Sequence, residues 1–227
     1  MKKILFVLSL TLASILSQGQ NVIYDTIQYA KAYHQKRLAI FKSEPITKGH
    51  IVFLGNSITE FGDWQKLLND TGVINRGIAG DNTFGVLARL EDVIVREPGK
   101  LFIKIGINDI SQNIPIEIIV KNIFTMAERV KAKSPGTQIY VHSILPTNDN
   151  VKNEYPDAFN KNDRVRLVND QLRQHAKTNQ FMFIDLYKEF KDKDGKLNVK
   201  YADADGLHLN EVGYQTWIRL LKEKGYL

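Results

Sequence analysis

The chain contains no cysteine. A disulfide framework, a cysteine zinc site, a thiol nucleophile and a lipidated N-terminal cysteine are therefore excluded. Proline is sparse, at 6 of 227 residues, and no internal repeat or low-complexity tract is present. No extended basic block exists, so nucleic acid is not an implied partner. No apolar run is long enough for a permanent membrane span; the longest, Ile4 to Leu16, is too short. Apolar material is not scarce. At 43% hydrophobic and 25% charged residues, the chain can bury a sizeable core, which excludes disorder as its main state.

The N-terminus is organised differently from the rest. Met1-Lys2-Lys3 is basic, Ile4 to Leu16 carries no charge, and Ser17-Gln18-Gly19 supplies small residues. That order predicts a secretory signal over residues 1–19, cleaved before Gln20. The competing reading, an uncleaved anchor, is disfavoured by the short apolar run. Cleavage removes two lysines and no acid, so the net charge falls from +6 to +4. An exported, cysteine-free chain suits a bacterial periplasm or cell surface, with no stable membrane insertion after cleavage. Residues 20–227 are then expected to form one domain with an N-terminal helix.

Within that domain, short apolar runs alternate with amphipathic ones. Strands are expected at 50–54, 72–75, 100–105, 138–142 and 180–184, most of them closed by glycine or a polar turn. Helices are expected at 24–42, 63–69, 83–96, 115–133, 162–178 and 211–224, with residues 147–162 as a long polar loop. Buried strands alternating with helices predict a parallel sheet covered on both faces. The fold class is α/β: a flavodoxin-like three-layer sandwich with five strands in the order 2-1-3-4-5. Ligands in such sheets bind beyond the carboxyl ends of the strands.

Those ends carry the chemistry. Gly55-Asn56-Ser57 follows the first strand, Gly77-Ile78-Ala79-Gly80 the second, Gly106-Ile107-Asn108-Asp109 the third, and Asp205-Gly206-Leu207-His208 stands near the C-terminus. A serine at a strand end is inert until a histidine takes its proton and a carboxylate orients that histidine. Asp205 and His208, three residues apart, can do both in one tight turn. An oxyanion then needs donors, for which the backbone N–H of Gly77 and the amide of Asn108 are candidates. Each signal alone is weak. Gly-x-Ser is usually a turn, Asp205-Gly206 is a common turn pair, and Asn108-Asp109 could merely cap a helix. Gly77 to Gly80 lacks the Walker lysine of a phosphate cradle. The four together, in this order, are specific.

In these four blocks the chain resembles the SGNH hydrolases, or GDSL-type esterases, from about His50 to the C-terminus. The resemblance implies Ser57 as nucleophile, His208 as base and Asp205 as its orienter. It implies an oxyanion hole from the N–H groups of Ser57 and Gly77 and the Asn108 amide. One position departs from the pattern: Asn56 stands where the family usually has an acid. Gly-Asn-Ser-Ile-Thr-Glu is similar to the branch of platelet-activating-factor acetylhydrolase-like and sialate or carbohydrate O-acetylesterases.

The remaining candidates have plainer readings. Asp203 has the wrong spacing for the triad acid, and His142 is expected to be structural. His34, His50 and His175 have no evident partner, and Trp64 and Trp217 are expected in the core or at its rim. The charged run Lys188 to Lys196 is expected to be a solvated turn. No His, Asp or Glu grouping has metal-ligand spacing, so neither metal nor cofactor is expected. The expected activity is hydrolysis of small acyl esters, O-acetyl above all, on a glycan. The alternatives are a lysophospholipase or thioesterase acting on longer chains, or a non-catalytic glycan-binding module.

Overall fold

A computed structural model describes residues 28–227. The predicted signal segment, 1–19, lies outside the described residues, as do positions 24–27 of the first expected helix. Five strands, β1 (Ile51–Gly55), β2 (Ile74–Gly77), β3 (Lys100–Lys104), β4 (Gln138–His142) and β5 (Met182–Ile184), form one sheet in the order β2-β1-β3-β4-β5. Every pairing is parallel. The expected order and strand sense are thus observed.

The helices are α1 (Lys31–Ser43), α2 (Ser57–Glu60), α3 (Trp64–Leu68), α4 (Thr83–Ala88), α5 (Leu90–Ile94), α6 (Ile107–Ser111), α7 (Ile116–Lys133), α8 (Val151–Glu154), α9 (Asn162–His175), α10 (Tyr187–Phe190) and α11 (Glu211–Glu223). Asp63 caps α3 as expected, accepting the N–H of Lys66. Three short helices, α2, α6 and α10, are too brief to leave an apolar period in the sequence. The helix expected over 83–96 is two helices, broken at Arg89, whose guanidinium turns back toward the sheet. The loop expected at 147–162 contains α8 and a 3-10 turn at Pro156–Ala158.

Strand residues alternate between faces, and the two faces differ in kind. Val52, Leu54, Leu101, Ile103, Ile139 and Val141 enter an aliphatic core with residues of α4, α5, α7 and α9. Phe53, Phe102 and Tyr140 point the other way, toward α3, α10 and α11. Register aligns them: Phe53 pairs with Phe102, and Phe102 with Tyr140. Their rings stack at 4.9 and 4.7 Å, and Trp64 lies on Phe53 at 4.0 Å. Trp217 meets Trp64 edge-on at 4.9 Å, so both tryptophans are core. Register thus turns alternation along separate strands into a continuous aromatic stack, a geometry that contributes beyond buried area.

Lys104 ends β3 on this aromatic face, 3% exposed, with its Nζ 5.8 Å from the Trp217 ring. Burial pushes its ammonium down to about 7. His142 is buried beside it and pushed down to about 3, first by burial and then by Lys104. Its Nε2 accepts the Trp217 indole N–H at 3.2 Å, so His142 is a structural histidine.

Lys104 gives the fold a pH signature. Between about pH 7 and the ordinary lysine range, the unfolded chain holds a proton that the folded chain does not. Stability therefore rises with pH across this window, by up to about 1.4 kcal/mol per pH unit. Urea unfolding of Lys104→Met between pH 7 and 10 should show that slope flattened relative to the parent. An unchanged slope would mean that the buried amine does not titrate there.

Candidate active site

β1 ends at Gly55, and the chain turns at Asn56 to start α2 with Ser57 as its first residue. The Asn56 side chain accepts the N–H of Ile58 at 3.2 Å and caps the helix. Asparagine and aspartate are interchangeable in that task, which accounts for Asn56 at the acid position. The N–H of Ser57 lies in the first turn, where no helical acceptor exists.

Ser57 Oγ is 2.8 Å from His208 Nε2, although the two residues are 151 positions apart in sequence. His208 Nδ1 is 2.5 Å from Asp205 Oδ2. The other carboxylate oxygen of Asp205 accepts the backbone N–H groups of Leu207 and His208, each at 2.9 Å. Burial alone would raise the Asp205 carboxyl. The donors of His208 and Leu207 outweigh it and hold the group below the usual carboxylate range. With an ionised acceptor at Nδ1–H, Nε2 is left to receive the serine proton. The turn carrying the pair depends on Gly206, at φ +73°. A Cβ there would fall 2.2 Å from Asn148 Oδ1, and Asn148 donates its N–H to the Gly206 carbonyl at 3.0 Å.

The glycine of the second block is the point at which the structure departs from expectation. β2 runs two residues further than the apolar pattern suggested and includes Gly77 as its last ladder residue, opposite Gly55. The N–H of Gly77 is donated to Asn75 Oδ1 at 2.8 Å, and Gly77 does not line the cavity at Ser57. Gly80 does line it. Its φ is +78°, and among the described residues its N–H is donated to no turn or loop carbonyl. The candidate backbone donor is therefore Gly80, not Gly77.

Asn108, at the start of α6, lines the same cavity. It donates one amide hydrogen to the Asp81 carbonyl at 2.7 Å, which fixes the amide and leaves the second hydrogen for a ligand. Its neighbour Asp109 is fully buried and accepts both the N–H and the hydroxyl of Thr83. Burial pushes the Asp109 carboxyl up to about 7. Asp109 thus staples the loop after β3 to the start of α4. Glu60, which sequence reasoning passed over, joins α2 to the loop after β2: its Oε2 accepts the Ala79 N–H at 2.6 Å.

Ser57, His208, Gly80 and Asn108 border a cavity of about 270 Å³, completed by Ala30, Tyr33, Phe61, Ala79, Tyr155 and Leu207. The rings of Phe61 and Tyr155 stand 5.0 and 5.6 Å from that of His208. A second groove of about 370 Å³ shares Asn108, Tyr155 and Leu207; Ser111, Gln112, Glu154 and Asp157 add polar groups to it, and Pro156 and Ala158 add apolar surface. The loop over residues 147–162 thus delivers Tyr155 to the cavity, and both Tyr155 and Phe159 pack against the core.

Asp203 meets His208 through the backbone, donating its N–H to the His208 carbonyl, while its carboxylate accepts the Ala204 N–H at 2.7 Å. His34, read as partnerless, has its Nε2 3.5 Å from Asp81 Oδ1. His175 meets Phe124 edge-on. Of the run Lys188 to Lys196, Lys188 lies within α10, and Lys196 pairs with Asp149.

Comparisons with known proteins supply a family for the chain. The model of the GDSL-like lipase/acylhydrolase family matches residues 53–216. The chain is 25% identical over 178 residues to platelet-activating factor acetylhydrolase IB subunit alpha1 of Homo sapiens, covering 75% of this chain and 73% of that protein. A GDSL-like lipase from Bacteroides thetaiotaomicron is 27% identical with a TM-score of 0.71, covering 86% of this chain and 99% of that one. An acetylxylan esterase from Geobacillus stearothermophilus shares the fold at 19% identity and a TM-score of 0.62, over 80% of this chain and 97% of that one.

The reassignment from Gly77 to Gly80 is open to test. A Cβ on Gly77 would fall 2.1 Å from the Glu60 backbone nitrogen. Backbone cannot yield as a flexible side chain can, so Gly77→Ala should cost about 2 kcal/mol or more in urea unfolding. A fully stable variant with a pure kcat defect would return Gly77 to the site.

Proposed function

The chain belongs to the GDSL-like lipase/acylhydrolase family and is an ester hydrolase; from this premise we propose that it removes small acyl groups, acetyl above all, from carbohydrates outside the cytoplasm. The observation that carries the catalytic part is the unbroken hydrogen-bond chain from Asp205 through His208 to Ser57.

In the proposed cycle Ser57 Oγ attacks the ester carbonyl while His208 Nε2 takes its proton. Asp205 stays ionised and stabilises the resulting imidazolium. The carbonyl oxygen becomes an oxyanion facing the N–H groups of Ser57 and Gly80 and the free hydrogen of the Asn108 amide. His208 then gives its proton to the leaving alcohol oxygen as the C–O bond breaks, producing an acyl-Ser57 ester and free alcohol. Water repeats the sequence: His208 takes its proton, the hydroxyl adds to the acyl carbon, and Ser57 leaves with the proton returned. The products are the carboxylic acid and the regenerated enzyme.

The size of the cavity and the polar groups set beside it support the substrate class. A cavity of about 270 Å³ is small beside ordinary ligand pockets and suits a short acyl group. Long chains need a continuous apolar wall, because each buried CH₂ contributes only when it meets one, at about 0.8 kcal/mol. The adjoining groove is short of such a run: Pro156, Ala158 and Leu207 are interleaved with Ser111, Gln112, Glu154 and Asp157, beside Tyr155. Hydroxyls can bond to those polar groups, and a sugar ring face can rest on the aromatic one. The export signal expected at residues 1–19 accounts for the proposed location.

Measurements on variants and on substrates check this reading. Ser57→Ala should lower kcat on p-nitrophenyl acetate about 10³-fold or more. Asn108→Ala should lower kcat about 10²-fold with little change in KM, because its donor acts on charge present only in the transition state. A KM effect alone would make Asn108 a substrate-binding group. On a series of aryl esters, kcat/KM should fall from acetyl to octanoyl, and an acetylated sugar should release acetate. Faster cleavage of octanoyl esters would favour a lipid-type substrate.

A further inference from the structure

The reaction geometry sorts the cavity walls by the part of the ester each one faces. The leaving oxygen must lie beside His208 Nε2, which gives the alcohol the side flanked by Phe61, Tyr155 and Leu207, the last two shared with the adjoining groove. The oxyanion takes the side of Gly80 and Asn108. The fourth substituent of the tetrahedral carbon, the acyl chain, is left the remaining wall: Ala30, Tyr33 and Ala79. Two of those three residues come from the N-terminal segment, which in sequence looked like a helix laid across the body of the domain.

That wall is held rather than merely adjacent. The Tyr33 hydroxyl donates to Glu60 Oε1, and Arg37 Nε stands 3.1 Å from the same oxygen. The other Glu60 oxygen holds the Ala79 N–H at 2.6 Å. Glu60 is in α2, three residues beyond Ser57, and its side chain is 9% exposed. One carboxylate therefore joins the catalytic helix, the oxyanion loop and α1. Contact between the turn that leads into α1 and the loop is tight as well: a Cβ on Gly80 would fall 2.5 Å from that of Ala30.

We propose that Tyr33, positioned by Glu60, closes the acyl end of the site and limits the length of the acyl group. This inference rests on the ester-hydrolase cycle above and adds to it the residue that sets chain-length preference. Glu60 is a positioning residue: it touches no reacting atom and acts through Tyr33 and Ala79.

The test compares p-nitrophenyl acetate, butyrate and hexanoate on the parent protein and its variants. Tyr33→Ala should raise the hexanoate-to-acetate ratio of kcat/KM by about tenfold or more, the scale at which pockets discriminate by added methylenes. Tyr33→Phe, which keeps the ring, should hold that ratio within about threefold of the parent. Glu60→Ala, which keeps the ring but frees it, should shift the ratio in the direction of Tyr33→Ala, and Glu60→Gln should restore it in part. If Tyr33→Ala does not fold, Tyr33→Leu serves the same comparison. A ratio unmoved by the loss of the ring, in a variant that still cleaves acetate, would overturn the role of Tyr33 and leave the catalytic reading intact. A parent enzyme that cleaves none of the three esters would instead overturn the catalytic reading.

Discussion

The buried ion pair of Asp81 and Arg89 holds the site's strand ends in register. Arg89 Nε meets Asp81 Oδ2 at 2.8 Å, and the same guanidinium donates to the Gly55 carbonyl at 2.9 Å. The Asp81 carbonyl in turn receives the Asn108 amide at 2.7 Å. The end of β1, the loop after β2 and the loop after β3 are thus joined through two side chains that are almost entirely removed from water. Such a pair adds little net stability over an apolar replacement, because desolvation offsets its attraction. Breaking one partner is costly, since the other is left buried and unpaired. Its value here is geometric: it fixes where Gly80 and Asn108 stand relative to Ser57.

The site is otherwise assembled from short local devices on a rigid sheet. Asn56 caps the helix that presents Ser57. Gly206 permits the turn that places Asp205 against His208. Asp109 holds Thr83, and Glu60 holds Ala79. Each device is one or two hydrogen bonds, and each acts on a loop at the carboxyl end of a strand. Preorganised donors of this kind need little reorganisation as charge develops, which is why they are effective in a site shielded from water.

Much of this was legible in the sequence because its signals are local. Apolar runs closed by glycine located the strands, and the blocks at their ends identified Ser57, Asn108, Asp205 and His208. The structure brings Ser57, Asp205 and His208 into one hydrogen-bond chain, with Asn108 at the same cavity. What was not legible depends on register or on distant contacts. Gly77 and Gly80 are equivalent in the sequence until the end of the strand is known, and a two-residue shift of β2 decides between them. Tyr33 and Glu60 lie 27 positions apart and meet only because α1 packs over the loop after β2. Lys104 looks like an ordinary strand-end lysine, and nothing nearby in the sequence reports that its amine faces tryptophan rather than water.

The central claim is that Ser57 forms the covalent acyl intermediate. Its most direct test is mass spectrometry of the intact protein after treatment with diethyl p-nitrophenyl phosphate, followed by peptide mapping. This account predicts one diethylphosphoryl group per chain, carried on Ser57, with esterase activity lost in proportion to labelling. Complete inactivation with the label on another residue, or full activity retained in a chain labelled at Ser57, would contradict it.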